Sequence, residues 1–106
     1  MESMVYVKVW KFEDRGEVMV AVCDPPLLGK TFREGRLKLE VKQEFYEGEL
    51  MSVDEAVEVI KKATVVNFVG DLAIECGLKA GLLHEESIIR ISGVPHAQFV
   101  CYFPFS

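Results

Sequence analysis

The chain has 106 residues, of which 50% are hydrophobic and 27% are charged. This composition excludes a disordered chain, and the length predicts a single domain, residues 1–106, with one ordinary hydrophobic core. The net charge of −5 argues against a general polyanion binder, because nonspecific nucleic-acid affinity comes mainly from phosphate neutralisation. No apolar run approaches the roughly 20 residues of a membrane helix, and the chain starts without a basic leader. We therefore expect a cytoplasmic protein with no membrane partner.

The first half of the chain is predicted to contain three strands. Period-two alternation over 4–12 and 17–23, with a turn at 13–16, predicts a hairpin. The second of these strands is apolar on both faces, which favours a central position in a sheet. A loop is predicted from Asp24 to Gly35, and 36–42 alternates as a half-buried strand whose apolar face carries Leu37, Leu39 and Val41.

Two helices are predicted in the second half. Ser52 and Glu55 have the spacing of a capping box and predict a helix from Val53 onward. A second helical pattern runs from about Val66 to Ala80, with Gly81 as its stop signal. Asn67 lies near the expected start of this helix, where it is a candidate for capping and also for binding a ligand. Capping is the favoured interpretation.

The remaining segments, 87–92 and 98–103, are predicted to be strands. Strands followed by helices and then by strands indicate an α+β fold. We expect a two-layer α/β sandwich with a mostly antiparallel or mixed sheet and two helices packed on one face.

The run Gly93-Val94-Pro95-His96-Ala97-Gln98 places an imidazole and a carboxamide beside a predicted rigid turn. His96 and Gln98 are therefore candidate binding residues. Cys23 and Asp24 would complete a pocket with them, and a Cys–His–Asp arrangement would support nucleophilic catalysis. The plain alternative is that His96 bonds the backbone of its own turn and Cys23 packs in the core. Catalysis is the minority interpretation, and no catalytic residue is assigned.

The segment from 30 to 42 carries the chain's local excess of basic residues, and aromatic residues lie near it in sequence. Its cations are candidate contacts for single-stranded RNA: Lys30, Arg33, Arg36, Lys38 and Lys42. Arg36, Lys38 and Lys42 are expected to share the polar face of the strand. The alternative, favoured because Glu40 interrupts this stripe and the whole chain is acidic, is a solvated face without a ligand. Gly29-Lys30-Thr31 lacks the upstream glycine and the following helix of a phosphate loop.

Cysteine spacing and the aromatic C-terminal segment complete the predictions. Cys23, Cys76 and Cys101 have no paired spacing, which favours reduced thiols and predicts no metal site, and no motif predicts a cofactor. The segment 99–105 is unusually aromatic. It is expected either to seal the core or to pair as an edge strand with a second subunit, and a homodimer through this C-terminal strand is a hypothesis.

Five runs occur together and in order: Ala21–Asp24, Leu27–Phe32, Phe45–Glu49, Asn67–Gly70 and Gly93–Gln98. They resemble the archaeal family known as domain of unknown function 424, over about residues 4 to 98. The resemblance implies an archaeal cytoplasmic protein with a two-layer α/β sandwich, and it brings no established activity. The aromatic tail lies beyond the pattern that carries the resemblance.

Two functions are compatible with these observations. The leading expectation is a non-enzymatic binding or accessory protein associated with RNA or the translation apparatus, based on the basic strand and the polar run at His96 and Gln98. The alternative is a small enzyme or ligand-binding protein with a pocket around His96, Gln98, Asp24 and Cys23. Convergence of Cys23, Asp24 and His96 in one cleft would favour the alternative.

Overall fold

A six-stranded mixed sheet lies at the centre of the molecule, in a computed structural model that describes residues 3–101. The strands are β1 (Met4–Phe12), β2 (Glu17–Cys23), β3 (Thr31–Glu34), β4 (Leu37–Glu40), β5 (Glu49–Ser52), β6 (Val65–Val69), β7 (Ile89–Ile91) and β8 (Val94–Val100). The strand order in the sheet is β5-β1-β2-β6-β8-β7, while β3 and β4 form a separate hairpin. In the six-stranded sheet β2 and β6 are parallel, and the other neighbouring pairs are antiparallel.

The helices are α1 (Gln43–Tyr46), α2 (Val53–Ile60) and α3 (Asp71–Lys79). The capping box at the start of α2 is confirmed: the Glu55 N–H donates to Ser52 Oγ over 3.2 Å, and the Ser52 N–H donates to Glu55 Oε1 over 3.0 Å. Helix α3 ends at the predicted stop. Gly81 has φ +75°, its N–H donates to the Leu78 carbonyl, and the next N–H donates to the Gly77 carbonyl, which is a Schellman ending.

Both longer helices pack on the same face of the sheet. The core between the two layers is formed by alternate residues of the central strands and by the apolar stripes of α2 and α3: Val5, Val7, Val20, Val22, Val66 and Phe68 from the strands, and Ala56, Ile60, Ala73 and Cys76 from the helices. The predicted α+β sandwich with a mixed sheet and two helices on one face is therefore confirmed, as are the first hairpin and the central position of β2. Among residues 3–101 no helix is long and apolar enough to cross a membrane.

The opposite face of the sheet is covered only in part. The β3–β4 hairpin and α1 place Leu39, Val41 and Tyr46 in a second apolar cluster with Cys23 and Val69. Farther along the same strands this face is half-buried or exposed, at Met19, Val65, Asn67, Gln98 and Val100. The layer formed by the hairpin therefore leaves part of the sheet accessible.

The prediction of a helix from about Val66 to Ala80 was wrong for its first five residues. Val65–Val69 is strand β6, and α3 begins only after Gly70. Because β6 is paired on both sides and is buried at Val66, Phe68 and Val69, its apolar residues fit a helical spacing as well as a strand spacing. Asn67 consequently lies in the middle of a strand and caps no helix.

Two further boundaries and the exposure of one residue differ from the prediction. Thr31–Glu34 is a strand within the expected loop, because it pairs with β4. Leu37, next to the hairpin turn, is 50% exposed instead of sharing the buried face of Leu39. The run Gly93–Gln98 is mostly strand: Ser92 and Gly93, both with positive φ, make the turn, and β8 begins at Val94. The predicted strand at 98–103 extends beyond the described residues at its last two positions.

Candidate functional site

Asp24 lies at the carboxyl end of β2 and caps helix α3. Its Oδ2 accepts a hydrogen bond from the Leu72 N–H over 3.0 Å, and its Oδ1 accepts one from the Ala73 N–H over 2.8 Å. The Asp24 N–H in turn donates to the Val69 carbonyl over 3.0 Å, which fixes the carboxylate at the end of the neighbouring parallel strand. A carboxylate at this place satisfies free N–H groups and interacts favourably with the helix dipole. Burial raises the pKa of Asp24, and the backbone N–H bonds oppose that rise.

Gly70 makes the close contact between Asp24 and α3 possible. Its φ is +109°, and a Cβ at this position would lie 2.3 Å from the Asp24 Cγ. The Gly70 N–H donates to the Pro95 carbonyl over 2.9 Å, so the end of β6 is also fixed to the start of β8. A small cavity of about 130 Å³ lies at this junction, lined in part by Asp24, Gly70 and Pro95. His96, Gln98 and Cys23 do not line it, so the predicted pocket of those four residues is not formed.

Cys23 is a core residue. Its side chain is fully buried, and its thiol donates to the Asp24 carbonyl over 3.2 Å. Burial, together with the charge of Asp24, raises the pKa of the Cys23 thiol to about 12, so the thiolate that nucleophilic chemistry requires is strongly disfavoured. The predicted Cys–His–Asp arrangement is also absent in space, since Val69 lies between Cys23 and His96 in the sheet register.

His96 is half-buried on β8 and bonds a neighbouring strand, not its own turn. Its Nδ1 lies 2.9 Å from the Phe68 carbonyl oxygen. A carbonyl only accepts hydrogen bonds, so Nδ1 carries a proton and Nε2 is the ring nitrogen left for another partner. This bond fixes the orientation of the imidazole beside the uncovered part of the sheet.

The uncovered part of the sheet, here called the open sheet face, consists of Lys8, Trp10, Met19, Val65, Asn67, His96, Gln98 and Val100. Cross-strand register places Asn67 directly opposite Gln98, and Ala21 lies between Lys8 and Asn67 in the same row. Among residues 3–101 the Asn67 and Gln98 carboxamides make no side-chain hydrogen bond. Asparagine is disfavoured within strands, and β6 is otherwise valine and phenylalanine. The structure thus brings three predicted site residues, His96, Gln98 and Asn67, to one surface.

One border of the open sheet face is aromatic and basic. The Trp10 ring stacks on Phe45 of α1, with centroids 4.9 Å apart. The Lys8 ammonium donates to the Glu44 carbonyl over 2.5 Å and lies 5.4 Å from the centre of the Trp10 ring. Sequence reasoning missed Lys8 and Trp10 as site residues. The sequence does contain a signal for them: Lys8 and Trp10 alternate with the buried Val5 and Val7, so they lie on the face of β1 that points away from the helices.

All five predicted cations of the 30–42 segment are exposed. Arg33 and Lys38 are opposite each other in the β3–β4 hairpin, whereas Arg36 lies in its turn and Lys42 precedes α1. The expected stripe of Arg36, Lys38 and Lys42 on one strand face is therefore wrong, because the strand is only four residues long. Lys38 pairs with Glu40 at 3.2 Å.

The hairpin is attached to the main sheet next to its turn. The Ser92 hydroxyl donates to the Arg33 carbonyl over 2.5 Å, and the Ser92 N–H donates to Glu34 Oε1 over 2.7 Å. The Glu34 carboxylate is thus hydrogen-bonded to the backbone of Ser92. Within the described chain, no carboxylate lies within 4.0 Å of the charged groups of Lys30, Arg33 or Arg36. No three His, Cys, Asp or Glu side chains of residues 3–101 are grouped so that they could hold a metal ion.

Comparison with known proteins agrees with this fold. The family described as protein of unknown function DUF424 matches residues 12–102. The chain belongs to this family. It is similar to an uncharacterized conserved protein from Methanopyrus kandleri, whose crystal structure superposes with a TM-score of 0.78 at 30% sequence identity, covering 97% of each chain. Among curated proteins, none matches this chain significantly.

Proposed function

We propose that this DUF424 protein is a non-catalytic accessory protein of the archaeal cytoplasm that holds single-stranded RNA, in the service of RNA metabolism or translation. The observation that carries the proposal is the pair of carboxamides, Asn67 and Gln98, which lie side by side on the open sheet face and have no side-chain hydrogen bond within residues 3–101. A carboxamide offers both a donor and an acceptor, as the edges of unpaired bases do. Sheet faces with adjacent aromatic rings are a recurrent platform for single-stranded RNA.

Flanking groups on the open sheet face fit the same ligand. Trp10 lies on the same sheet face two strands away from Asn67 and offers part of an aromatic surface, and base stacking on aromatic side chains tolerates many sequences. His96 presents Nε2 as a further hydrogen-bonding group, on the same strand as Gln98. Lys8 contributes a positive charge at the Trp10 border. These groups supply contacts for bases and for one phosphate.

The β3–β4 hairpin would supply further phosphate contacts. Arg33 and Lys38 are directly opposite each other, so the hairpin presents two cations side by side, of which Lys38 also pairs with Glu40 at 3.2 Å. Lys30 and Arg36 extend this basic surface. Because the chain as a whole is acidic, we expect binding to be local to this surface and to weaken as salt is added.

An enzymatic function has less support. Of its proposed groups, Cys23 is a buried thiol with a raised pKa, and the Asp24 carboxylate is bonded to the backbone of α3. His96 remains accessible in part, but no nucleophile among the described residues lies in register beside it. The geometry therefore favours binding over catalysis.

Fluorescence anisotropy with a labelled single-stranded RNA of mixed sequence tests the proposal at several salt concentrations. Each of Asn67→Ala and Gln98→Ala should weaken binding by roughly three- to tenfold, as expected for the loss of one or two hydrogen bonds, without changing the salt dependence. The double variant Arg33→Ala/Lys38→Ala should instead reduce the slope of log affinity against log salt by roughly 1.4.

The matched control is Lys61→Ala/Lys62→Ala, which removes the same charge next to the end of α2, on the helix side of the sheet. It should leave binding and salt dependence unchanged. Circular dichroism melts establish that each variant is folded. Absence of binding by the native chain at low salt would refute the proposal, and so would an equal loss in the Lys61/Lys62 control.

A further inference from the structure

The outer edge of β1 is free over the last part of the strand. β5 pairs with β1 only as far as Val7, whereas β1 continues to Phe12. Within residues 3–101 no other strand pairs with β1 on this side, and no turn or loop bonds to the backbone of Val9 or Lys11. The accessible edge therefore includes Val9 and Lys11.

The backbone groups of these two residues point out of the edge. Across the hairpin Lys11 lies opposite Val18. The Val18 N–H donates to Thr64 Oγ1, and the Val18 carbonyl accepts from the Thr64 N–H, so Val18 directs both of its groups toward β6. In an antiparallel pair, the residue opposite such a residue also turns its N–H and C=O outward. By alternation Val9 does the same, and the edge offers two N–H and two C=O groups to a partner.

An apolar groove of about 720 Å³ lies beside this edge, on the helix side of the sheet. The β1–β2 hairpin forms one wall and the end of α2 forms the other, and the apolar lining consists of Val9, Val18 and Val59. Val9 is 40% exposed, while Val18 and Val59 pack against the core and remain half-buried. Cavities of this size accommodate more than one apolar side chain.

The charges around the groove favour a partner that carries a carboxylate. Two lysines and three glutamates line it: Lys11, Lys62, Glu13, Glu17 and Glu58. Glu17 and Glu58 already pair with neighbouring cations, at 3.2 Å and 3.4 Å. In the described part of the chain, no carboxylate lies within 4.0 Å of the Lys11 or Lys62 ammonium. A carboxylate brought by a partner would therefore be attracted by both lysines.

We propose that an extended segment of another protein adds a strand to the free edge of β1, with an apolar side chain in the groove and a carboxylate beside Lys11 and Lys62. Backbone hydrogen bonds along a sheet edge, combined with pockets for alternate side chains, are a recurrent mode of peptide recognition. The backbone groups of Val9 and Lys11 repeat every two residues, as those of a second strand do.

The register assigns a side chain to each position of the segment. Residues directly opposite each other on neighbouring strands have their side chains on the same face. The residue opposite Val9 is therefore apolar and enters the groove, and the residue opposite Lys11, two positions away, is acidic. A second copy of this chain is a poorer partner, because lysines on an edge strand oppose pairing with an identical edge. This surface lies across the sheet from the open sheet face, so the proposal is independent of RNA binding.

Selection from a displayed library of random twelve-residue peptides on the ligand-free full chain tests the proposal. We expect the enriched peptides to carry an apolar and an acidic residue two positions apart. Val9→Asp places a charge in the apolar lining and should lower the affinity of a selected peptide by roughly tenfold or more. Its matched control is Leu50→Asp, at a leucine that is 47% exposed on β5, which should leave the affinity unchanged.

Charge reversal tests the role of the two lysines. Lys11→Glu/Lys62→Glu should lower the affinity of the same peptide by roughly tenfold at low salt and by less at high salt, because salt screens exposed charges. Arg36→Glu/Arg90→Glu makes the same change of charge at exposed positions away from the groove and should have no effect. Circular dichroism melts establish that each variant is folded.

A scan of backbone N-methylation along a selected peptide distinguishes an added strand from any other bound conformation. An edge strand bonds to its neighbour through every second N–H, and a methyl group removes that donor. Affinity should therefore fall by roughly tenfold at alternate positions and change little at the positions between them. The proposal would be overturned if no enriched peptide depended on Val9, or if the effects of methylation did not alternate, as for a helical peptide in the groove.

Discussion

Replacing Gly70 with alanine tests the junction between Asp24 and helix α3. At φ +109° and ψ 161°, Gly70 occupies a region that residues with a Cβ rarely adopt. The added methyl group would lie 2.3 Å from the Asp24 Cγ and 2.6 Å from its Cβ, both far below van der Waals distance. The backbone therefore has to rotate, or Asp24 has to move away from the helix.

The magnitude follows from two terms. The backbone strain at Gly70 is about 1–3 kcal/mol. Displacement of Asp24 removes its hydrogen bonds to the Leu72 and Ala73 N–H groups, and losing a helix cap costs about 0.5–2 kcal/mol. We expect Gly70→Ala to lower the free energy of unfolding by about 3 kcal/mol. For a chain of this length that corresponds to a melting temperature lower by about 12 °C.

Urea unfolding followed by circular dichroism measures the change, and Gly81→Ala is the control. Gly81 also has a positive φ, +75°, but a Cβ there meets no atom within 4 Å, so only the left-handed conformation costs energy, about 1 kcal/mol. The double variant Asp24→Ala/Gly70→Ala should be about 1 kcal/mol more stable than the sum of the single losses, since the cap is lost only once. If Gly70→Ala cost no more than Gly81→Ala, the steric argument would be wrong.

Two further measurements address titration and thiol reactivity. Because the pKa of Asp24 is raised above its usual 3.8 in the folded chain, the stability of the native chain relative to Asp24→Asn should decrease as pH rises from below 3.8 through the raised value. The pKa of Glu55 is lowered from its usual 4.5, so the opposite pH dependence is expected. The stability that the native chain gains relative to Glu55→Gln should be present above pH 4.5 and should be lost as the pH falls through the lowered pKa. Equal slopes would contradict both assignments. A disulfide reagent should modify half-buried Cys101 quickly, whereas Cys23 and Cys76, buried and with pKa values raised to about 12, should react only on unfolding; two fast thiols in the native protein would contradict this.

Local signals in the sequence predicted the elements whose interactions are themselves local. The β1–β2 hairpin and the capping box at Ser52 and Glu55 depend on residues a few positions apart, and both are confirmed. Strand β6 depends on β2 and β8, which are distant in sequence. A run of valines and phenylalanine is compatible with a buried strand and with a buried helix. The hydrophobic pattern alone therefore could not show that β6 ends before α3 begins.

The candidate site was predicted in part and for a different structural reason. The Gly and Pro residues around His96 and Gln98 predict a turn, whereas the two residues lie on β8, on the sheet face opposite the helices. The helical pattern predicts that Asn67 caps a helix; in the structure it lies on β6, directly opposite Gln98 on the neighbouring strand β8. The residue that does cap α3 is Asp24, 48 positions before its bonded partner Leu72, a separation at which sequence spacing carries no capping signal.

The same cap explains why we propose the open sheet face, not the end of the parallel strands, as the binding surface. Ligands of open α/β sheets commonly bind beyond the carboxyl ends of parallel strands, where a helix N-terminus offers free N–H groups to an anion. Here β2 and β6 are the parallel pair and α3 follows β6, but the Asp24 carboxylate already accepts from two of those N–H groups. A phosphate entering there would have to displace a carboxylate held by its own backbone bond to Val69, and it would meet the charge of Asp71 as well. Asn67 and Gln98 face no such internal competitor among the described residues, so a ligand can take up their hydrogen-bonding capacity without breaking an existing contact.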